Sequence, residues 1–408
     1  MLPKLNIQDY SYPLTEDRIA KYPLPERDSS QLLYYNGEDV PATYVFRDLP
    51  GLLPEGALMI FNDTKVVPAR MWFRKDSGAL IQIFCLNPVL PGEYALAFES
   101  THSCRWSCVV GNSKRWKEGD ILSAVLSEGN AASGEINLRA ALIEKEGKTA
   151  VVEFSWDGGA PFSAVLDACG NIPIPPYLNR ETEALDHERY QTLYAKVRGS
   201  VAAPTAGLHF TDRVLSQIRS RGIECSRVCL HVGAGTFLPV KDSDVSLHKM
   251  HREPFVVERG LIEKLRVAEK PVVAVGTTSV RTLESLYYAG ASLIRKGRLE
   301  DVGQWVPYTE DYSGISTSDA LGAILEYLDR EGLDSLCLGT RIIIVPGFRF
   351  RIVDYLVTNF HQPESTLILL VSAFVGGRWR EIYDYALENG YRFLSYGDSS
   401  LLKKCVEQ

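Results

Sequence analysis

Histidine is the side chain whose number and placement in this sequence most clearly indicate chemistry. The 408-residue chain has seven histidines, and five of them follow or flank apolar segments: His209, His231, His248, His251 and His361. An imidazole exchanges protons near neutral pH and also binds metals. A single histidine is more often a structural hydrogen-bonding residue, but a group of five predicts that at least one acts in chemistry.

The spacing of His248, His251 and Glu253 is close to that of a metal site, but the rest of the sequence does not support one. The His-Glu-x-x-His pattern of zinc proteases is missing, and the eight cysteines match no zinc-ribbon spacing. The chain is large and starts without a signal sequence, so reduced cytoplasmic thiols are expected. The sequence therefore predicts neither a metal site nor disulfide bonds.

Four apolar segments run directly into loops of small, hydroxyl, amide or imidazole residues. They lie at residues 58–61, 223–232, 271–275 and 351–357. The pattern predicts strands of an α/β domain, in which ligands bind beyond the carboxyl ends of the strands. The loops that follow these segments are therefore the predicted site.

Two of these loops have a backbone that suits a polar ligand. Gly276-Thr-Thr-Ser279 opens a predicted helix, where free N–H groups and hydroxyls bind carboxylates, phosphates or ribose. Gly233 and Gly235, after His231, let the backbone approach a flat ligand closely. Both features also have simpler explanations, a helix N-cap and a left-handed turn, and the local sequence leaves both open.

Composition and charge exclude several classes of protein. Hydrophobic residues make up 45% and charged residues 23% of the chain, as in ordinary globular proteins, and no apolar run is long enough to predict a membrane span. A net charge of −7 argues against non-specific coating of nucleic acid. It is compatible with one structured RNA docked on a local basic patch, and the candidate contacts are Arg27, Arg70, Arg349 and Arg351. Individually, most of these arginines also fit ordinary solvated surface.

The pattern of the sequence changes between about residues 75 and 157. Short alternating segments such as 79–86 and 149–154 are separated by Gly-Asn and Gly-Asp turns, which is typical of a small β-rich unit. Residues 1–74 and 158–408 alternate strands with helices, as in a mixed α/β domain. We therefore predict a main α/β domain in two segments, with a β-rich domain inserted between them.

Ten short stretches of the chain carry a family resemblance, and the most specific is Val201-Ala-Ala-Pro-Thr-Ala-Gly-Leu-His-Phe210. The others are Tyr22-Pro-Leu-Pro-Glu-Arg-Asp28, Phe61-Asn-Asp-Thr-Lys-Val-Val-Pro-Ala-Arg70, Ile174-Pro-Pro-Tyr177, Glu188-Arg-Tyr-Gln-Thr192, Leu230-His-Val-Gly-Ala-Gly-Thr-Phe237, Met250-His251 with Glu253, Val275-Gly-Thr-Thr-Ser-Val-Arg281, Thr358-Asn-Phe-His361 and Tyr391-Arg-Phe393 to Ser395-Tyr-Gly-Asp398. In sequence and in order, these stretches resemble the S-adenosylmethionine:tRNA ribosyltransferase-isomerase family of queuosine biosynthesis.

The resemblance implies a fold and an activity. The fold is a mixed α/β, barrel-like main domain with a small inserted β-barrel. The activity moves the ribosyl part of S-adenosylmethionine onto 7-aminomethyl-7-deazaguanine at the wobble position of tRNA, giving epoxyqueuosine, adenine and methionine. S-adenosylmethionine is then a substrate, no prosthetic group is expected, and the protein is expected to be a cytoplasmic monomer that does not bind membranes.

The same resemblance implies roles for the loop residues. A base must remove a proton beside the sulfonium, and departing adenine needs a proton donor. We assign proton transfer to His209, His231 and His251, with Glu253 or Asp63 orienting an imidazole. The residues expected to bind the donor or the base are Thr205, Gly207, Gly233, Gly235, Thr236, Thr277, Thr278, Ser279, Arg281, Asn359 and His361. Arg281 is assigned to the methionine carboxylate, and Arg27, Arg70, Arg349 and Arg351 are assigned to tRNA.

Three alternatives remain open. A metal-dependent hydrolase would use the same histidines and would lose activity with a chelator. A non-catalytic tRNA-binding protein would bind RNA without needing S-adenosylmethionine. A family member with a different acceptor is the third, because residues 298–340 look longer than the family's usual connection.

Overall fold

The structure is a computed structural model that describes residues 2–124, 136–146, 149–233, 240, 242–267 and 269–405. Its strands are β1 (Gln31–Tyr35), β2 (Ala42–Val45), β3 (Leu58–Asn62), β4 (Thr64–Val66), β5 (Arg70–Arg74), β6 (Leu80–Leu90), β7 (Ser103–Gly111), β8 (Ile121–Ala124), β9 (Arg139–Glu146), β10 (Thr149–Ser155), β11 (Gly170–Asn171), β12 (Val197–Ser200), β13 (Glu224–Leu230), β14 (Glu253–Glu258), β15 (Val272–Val275), β16 (Ser335–Thr340), β17 (Tyr355–Asn359) and β18 (Ser399–Lys403). Its α-helices are α1 (Leu49–Leu52), α2 (Tyr94–Glu99), α3 (Phe162–Cys169), α4 (Ala184–Arg189), α5 (Asp212–Ser220), α6 (Arg259–Arg266), α7 (Thr277–Lys296), α8 (Val306–Thr309), α9 (Thr317–Glu331), α10 (Thr366–Phe374) and α11 (Trp379–Glu388).

The main sheet has nine strands in the order β16-β14-β13-β3-β15-β17-β18-β1-β2. At its centre β13, β3, β15 and β17 run parallel to one another. On one side β14 and β16 continue the sheet antiparallel, and on the other side β18 pairs antiparallel with β17. The carboxyl ends of the four parallel strands therefore lie at one edge of the sheet.

Strand β3 is buried along its whole length because helices cover both faces of the sheet. Successive residues of a strand point to opposite faces. Leu58 and Ile60 accordingly pack into the hydrophobic core that contains α7, whereas Met59 and Phe61 pack into the core that contains α5. Both faces of the sheet are thus covered by apolar side chains, and polar residues are accommodated at the edge where the parallel strands end.

Capping and left-handed residues delimit helices α5 and α11. Thr211 Oγ1 accepts a hydrogen bond of 3.3 Å from the N–H of Val214 and so caps α5, which ends before Gly222 at φ +74°. Helix α11 ends before Gly390, also in the left-handed region at φ +72°.

The strand predicted over residues 351–357 starts later in the structure than the sequence pattern indicates. Strand β17 starts at Tyr355, and the three residues after 350 donate their N–H groups to the buried carboxylate of Glu284 instead of to a neighbouring strand. The distances are 2.8 Å from Arg351, 3.1 Å from Ile352 and 3.0 Å from Val353. A contact with a side chain so distant in sequence cannot be read from local hydrophobicity.

The second sheet closes into a six-stranded barrel, β5-β6-β7-β10-β9-β8, because β8 pairs back to β5. Its strands alternate buried and exposed residues, and aromatic side chains such as Trp106 and Phe154 fill the interior. The predicted fold class, a mixed α/β protein with an inserted β-barrel, is confirmed. The predicted division at residues 75 and 157 stays a prediction; β5, which precedes residue 75, pairs within the barrel.

All eight cysteines are free thiols. Among the described residues, no helix combines the length and the apolar character needed to cross a membrane.

Candidate functional site

A cleft lies at the carboxyl edge of the parallel strands, where the sequence analysis places the site. It is lined by Thr205, Thr277, Thr278, Arg281, Asn359 and His361, all of them predicted ligand-binding residues. They come from a 3₁₀ turn, from the start of α7 and from the end of β17. The start of α7 and the end of β17 meet because β15 and β17 are neighbours in the sheet.

The first turn of α7 presents polar groups to the cleft. Gly276 links β15 to this helix at φ +86°, a conformation that favours glycine. The hydroxyl-bearing residues Thr277 and Thr278 then line the cleft, and the first N–H groups of a helix have no intrahelical partner. Ser279 is different, because its hydroxyl donates to the carbonyl of Val275 at 2.8 Å and is fully buried.

Asn62 ties this turn to the neighbouring strand. Its amide nitrogen donates to the carbonyl of Leu230 at 3.1 Å and to Thr278 Oγ1 at 3.4 Å. Its amide oxygen accepts from the N–H of Leu230 at 3.0 Å. The side chain is wholly buried, so these bonds fix the ends of β3 and β13 and the first turn of α7 relative to one another.

Arg281 and Glu253 form a buried ion pair beside the cleft. Arg281 Nη1 donates to Glu253 Oε2, and both side chains are about 95% buried, with 4% and 6% of their surface exposed. Glu253 Oε1 also accepts from the N–H of Gly233 at 3.4 Å. Within the described part of the chain, Arg281 Nη2 has no hydrogen-bond partner. The cleft therefore has a buried cationic group with an unused donor.

His361 is the histidine on the cleft wall. Its Nε2 lies 2.9 Å from Thr358 Oγ1, and its backbone N–H donates to the hydroxyl of Tyr383 at 3.0 Å. Burial lowers the pKa of His361 from its ordinary 6.5 to about 3, so the ring is neutral at pH 7. Thr358 orients this neutral ring, and Tyr383 holds the backbone that carries it.

His209 lies behind the cleft wall. Its Nε2 is 3.1 Å from the amide nitrogen of Asn359, and its Nδ1 is 2.9 Å from Ser30 Oγ. Burial, followed by the charge of Arg392, lowers the pKa of His209 to about 3. Both ring nitrogens thus contact protein groups, and the ring packs against Phe46 with centroids 5.0 Å apart.

The structure does not bring the other predicted proton-transfer residues to the cleft. His231 is buried against Tyr94 of helix α2, with ring centroids 4.6 Å apart and planes 12° from parallel. Burial lowers the pKa of His231 to about 4. His251 is exposed, and Asp63 is buried away from the lining residues, with a pKa raised by that burial.

The glycines that were predicted to bind the donor or the base do not lie together in the cleft as far as the structure describes them. Gly207 is buried beneath Tyr194, and a Cβ added to it would lie 1.9 Å from the tyrosine oxygen. Gly233 contacts Glu253 through its backbone. The predicted residues Gly235 and Thr236 lie outside the described residues.

Comparison with known proteins identifies the family. The family model described as queuosine biosynthesis protein matches residues 7–402, nearly the whole chain. The chain belongs to the queuosine biosynthesis protein family. The resemblance that the sequence motifs carry is therefore confirmed.

Relatives of this family member share its full length. A Legionella pneumophila (strain Paris) protein named S-adenosylmethionine:tRNA ribosyltransferase-isomerase is 37% identical over 403 residues, covering 98% of this chain and 100% of the relative. Proteins of the same name from Anaeromyxobacter sp. (strain Fw109-5) and Pelobacter propionicus are 38% and 36% identical over 405 residues, covering 98% and 97% of this chain and 99% of each relative. The crystal structure of S-adenosylmethionine tRNA ribosyltransferase from Thermotoga maritima is 26% identical, with a TM-score of 0.45 and coverage of 97% of this chain and 99% of that one.

The four arginines assigned to tRNA occupy different environments in this family member. Arg349 is exposed. Arg27 donates to the carbonyls of residues 188, 191 and 208, at 2.9–3.1 Å, and so braces the loop that carries His209. Arg70 and Arg351 are half-buried and lie over the rings of Phe84 and Tyr287. Arg349 is thus the one of the four that is exposed.

The cleft also contains residues that the motif analysis did not assign to the site. Tyr177 and Ser395 line it, with their hydroxyl oxygens 2.5 Å apart, and Thr358 orients His361. Burial raises the pKa of Tyr177 to about 12, which keeps the phenol protonated. Both Tyr177 and Ser395 lie in stretches that resemble the family, and that was the available signal. Within the described residues, no group of three or more His, Cys, Asp or Glu side chains could hold a metal ion.

Proposed function

We propose that the protein is an S-adenosylmethionine:tRNA ribosyltransferase-isomerase that modifies 7-aminomethyl-7-deazaguanine at the tRNA wobble position. The observation that carries this proposal is the 36–38% identity to proteins of that name over essentially their whole length. The products would be epoxyqueuosine in tRNA, adenine and methionine. In this proposal S-adenosylmethionine is the ribosyl donor. The protein needs no prosthetic group and acts as a monomer in the cytoplasm.

The cleft suits the charged end of the donor. The methionine part of S-adenosylmethionine carries a carboxylate, and Arg281 Nη2 is a buried cationic donor without a partner in the described residues. A charge-assisted hydrogen bond in a buried site is stronger than a neutral one. The start of α7, with Thr277 and Thr278, adds N–H groups and hydroxyls to the same wall. We therefore assign the carboxylate to Arg281 and this helix start.

The chemistry needs a proton acceptor near the ribose. The sulfonium makes the adjacent 5′ carbon acidic, the neutral aminomethyl nitrogen attacks the anomeric carbon, and adenine leaves with a proton. His361 lines the cleft, and Thr358 orients its ring. We assign proton transfer to His361, because His231 and His251 do not line the cleft and the ring nitrogens of His209 contact Asn359 and Ser30.

The test is adenine release from S-adenosylmethionine labelled in the adenine ring. We expect release with tRNA that carries the aminomethyl base, and none with tRNA that carries guanine at the same position. Arg281→Met is expected to raise the KM for the donor about 10- to 100-fold, because a charge-assisted bond of about 1.5–3 kcal/mol is lost. A donor that lacks the carboxylate should show little further loss in that variant. Release that does not depend on the modified tRNA would contradict the proposal.

A further inference from the structure

The carboxamide of Asn359 has only one orientation that the surrounding fold allows. Its nitrogen faces the carbonyls of Leu394 and Asp398, at 3.3 and 3.4 Å, and His209 Nε2 at 3.1 Å. Backbone carbonyls only accept hydrogen bonds, so a flipped amide would set oxygen against oxygen at both contacts. The nitrogen is therefore held on this side, and the oxygen is turned away from it.

Hydrogen bonds fix the turn from Leu394 to Asp398, which supplies the two carbonyls. The Asp398 carboxylate accepts from the N–H of Arg392 at 2.7 Å, from its guanidinium at 2.9 Å and from the N–H of Gln31 at 3.0 Å. Leu394 adopts φ +68°, a conformation that is strained for a branched side chain. The fold maintains this strained residue, and its carbonyl accepts from both Gly397 and Asn359.

His209 completes the cradle around the amide. An amide N–H can only donate, so Nε2 of His209 must accept, and the ring proton must lie on Nδ1, facing Ser30 Oγ. His209 and Ser30 are both at least 95% buried. The imidazole therefore keeps no free lone pair or proton for a substrate, which fits support of Asn359 better than proton transfer.

The amide oxygen of Asn359 is the atom left for a ligand. The side chain lines the cleft and is 97% buried, and within the described residues its oxygen has no hydrogen-bond partner. A buried acceptor without a partner costs free energy unless a ligand supplies a donor. Because the nitrogen is committed to the protein, Asn359 cannot make the two-point contact by which asparagine reads an adenine edge; it offers a single acceptor.

We propose that Asn359 is a specificity-determining residue that accepts a hydrogen bond from an exocyclic amino group of a purine-type base, and that His209 and Ser30 are positioning residues that fix its orientation. The inference rests on the proposed function, which brings two such bases to the cleft, the adenine of the donor and the deazaguanine of the tRNA. An oxo group in place of the amino group would face the amide oxygen and be rejected. The site therefore distinguishes amino-bearing from oxo-bearing or unsubstituted bases.

The test compares binding of S-adenosylmethionine with that of its analogue carrying hydrogen in place of the 6-amino group, by calorimetry without tRNA. Asn359→Leu keeps the side-chain size and removes the acceptor. If the adenine amino group is the partner, wild type prefers S-adenosylmethionine about 10- to 100-fold and the variant binds both donors equally. If the tRNA base is the partner, donor binding is unchanged and the variant loses affinity for tRNA with the aminomethyl base and also for tRNA with guanine there, because both bases carry the same exocyclic amino group. Unchanged binding in both arms overturns the inference.

Two substitutions at His209 test the positioning role. Gln can accept from Asn359 and donate to Ser30, so His209→Gln is expected to keep the preference for the amino-bearing ligand. His209→Phe keeps the ring against Phe46 but makes neither bond, and is expected to lose most of that preference while retaining its circular dichroism spectrum. Equal behaviour of the two variants would contradict a positioning role.

Gln362→Leu is the matched control, since it removes another amide from the cleft lining and should keep the preference. A wild-type protein that binds no S-adenosylmethionine would instead contradict the proposed function, so the two failures are distinguishable.

Discussion

The ion pair between Arg281 and Glu253 gives the sharpest prediction about the cleft. Both partners are about 95% buried, so Glu253→Ala leaves an uncompensated guanidinium in a desolvated site and removes the acceptor of the Gly233 N–H. Breaking a buried pair by removing one partner costs roughly 3–5 kcal/mol. We expect a loss of that size in the free energy of unfolding.

The assay is urea unfolding followed by tryptophan fluorescence. The control is Glu263→Ala, which removes the partner of Arg259 in an ion pair whose glutamate is 49% exposed. That exposed pair is expected to contribute only about 0.3–0.5 kcal/mol. A Glu253→Ala protein that loses less than about 1 kcal/mol would refute the argument that Arg281 is held buried by this one carboxylate.

The same variant tests what Arg281 binds. Without Glu253, the carboxylate of the donor becomes the counter-ion of Arg281. Saturating S-adenosylmethionine is therefore expected to stabilise Glu253→Ala more than wild type, and a donor that lacks the carboxylate should show no such excess. Equal stabilisation by both donors would contradict the assignment of the carboxylate to Arg281.

Three further predictions concern other parts of the molecule. Burial lowers the pKa of His231 to about 4, whereas in the unfolded chain its imidazole takes up a proton as the pH falls below about 6.5. The free energy of unfolding therefore decreases between about pH 6.5 and about pH 4. In urea titrations, His231→Gln should reduce this dependence of the free energy of unfolding on pH by about 1.4 kcal/mol per pH unit. A slope unchanged by the substitution would exclude His231 as its source. Gly207→Ala should prevent stable folding, because its Cβ would meet Tyr194, whereas Gly260→Ala, which meets nothing within 4 Å, should melt at or above the wild-type temperature. Arg349→Ala should raise the KM for tRNA and weaken its salt dependence without changing donor affinity; an unchanged KM removes Arg349 from the tRNA surface.

The sequence predicted the edge of the sheet at which the cleft lies. Parallel strands end at one edge, so apolar segments followed by polar loops predicted that these loops lie together, and the loops after β15 and β17 line the cleft at that edge. The inserted β-rich unit was readable from its alternating pattern, although closure of the barrel through β5 and β8 depends on pairing between distant strands.

Side-chain direction could not be predicted in the same way. Asp63 was predicted as a site residue because it is a carboxylate at a strand end. Its neighbour Asn62 is the residue that contacts Thr278, because successive residues of a strand point to opposite faces. His209 lies in the most specific motif, yet its surroundings come from Ser30 and Asn359, which are far away in sequence. Such contacts are decided by tertiary packing and leave no local pattern.

The central claim is tested most directly by the nucleoside that the protein makes. Purified protein would be incubated with tRNA bearing 7-aminomethyl-7-deazaguanine and S-adenosylmethionine labelled in the ribose, and the digested nucleosides would be analysed by mass spectrometry. We predict epoxyqueuosine carrying the ribose label, with adenine and methionine released in equal amounts. A nucleoside that remains unchanged while S-adenosylmethionine is bound would contradict the claim and point to another acceptor.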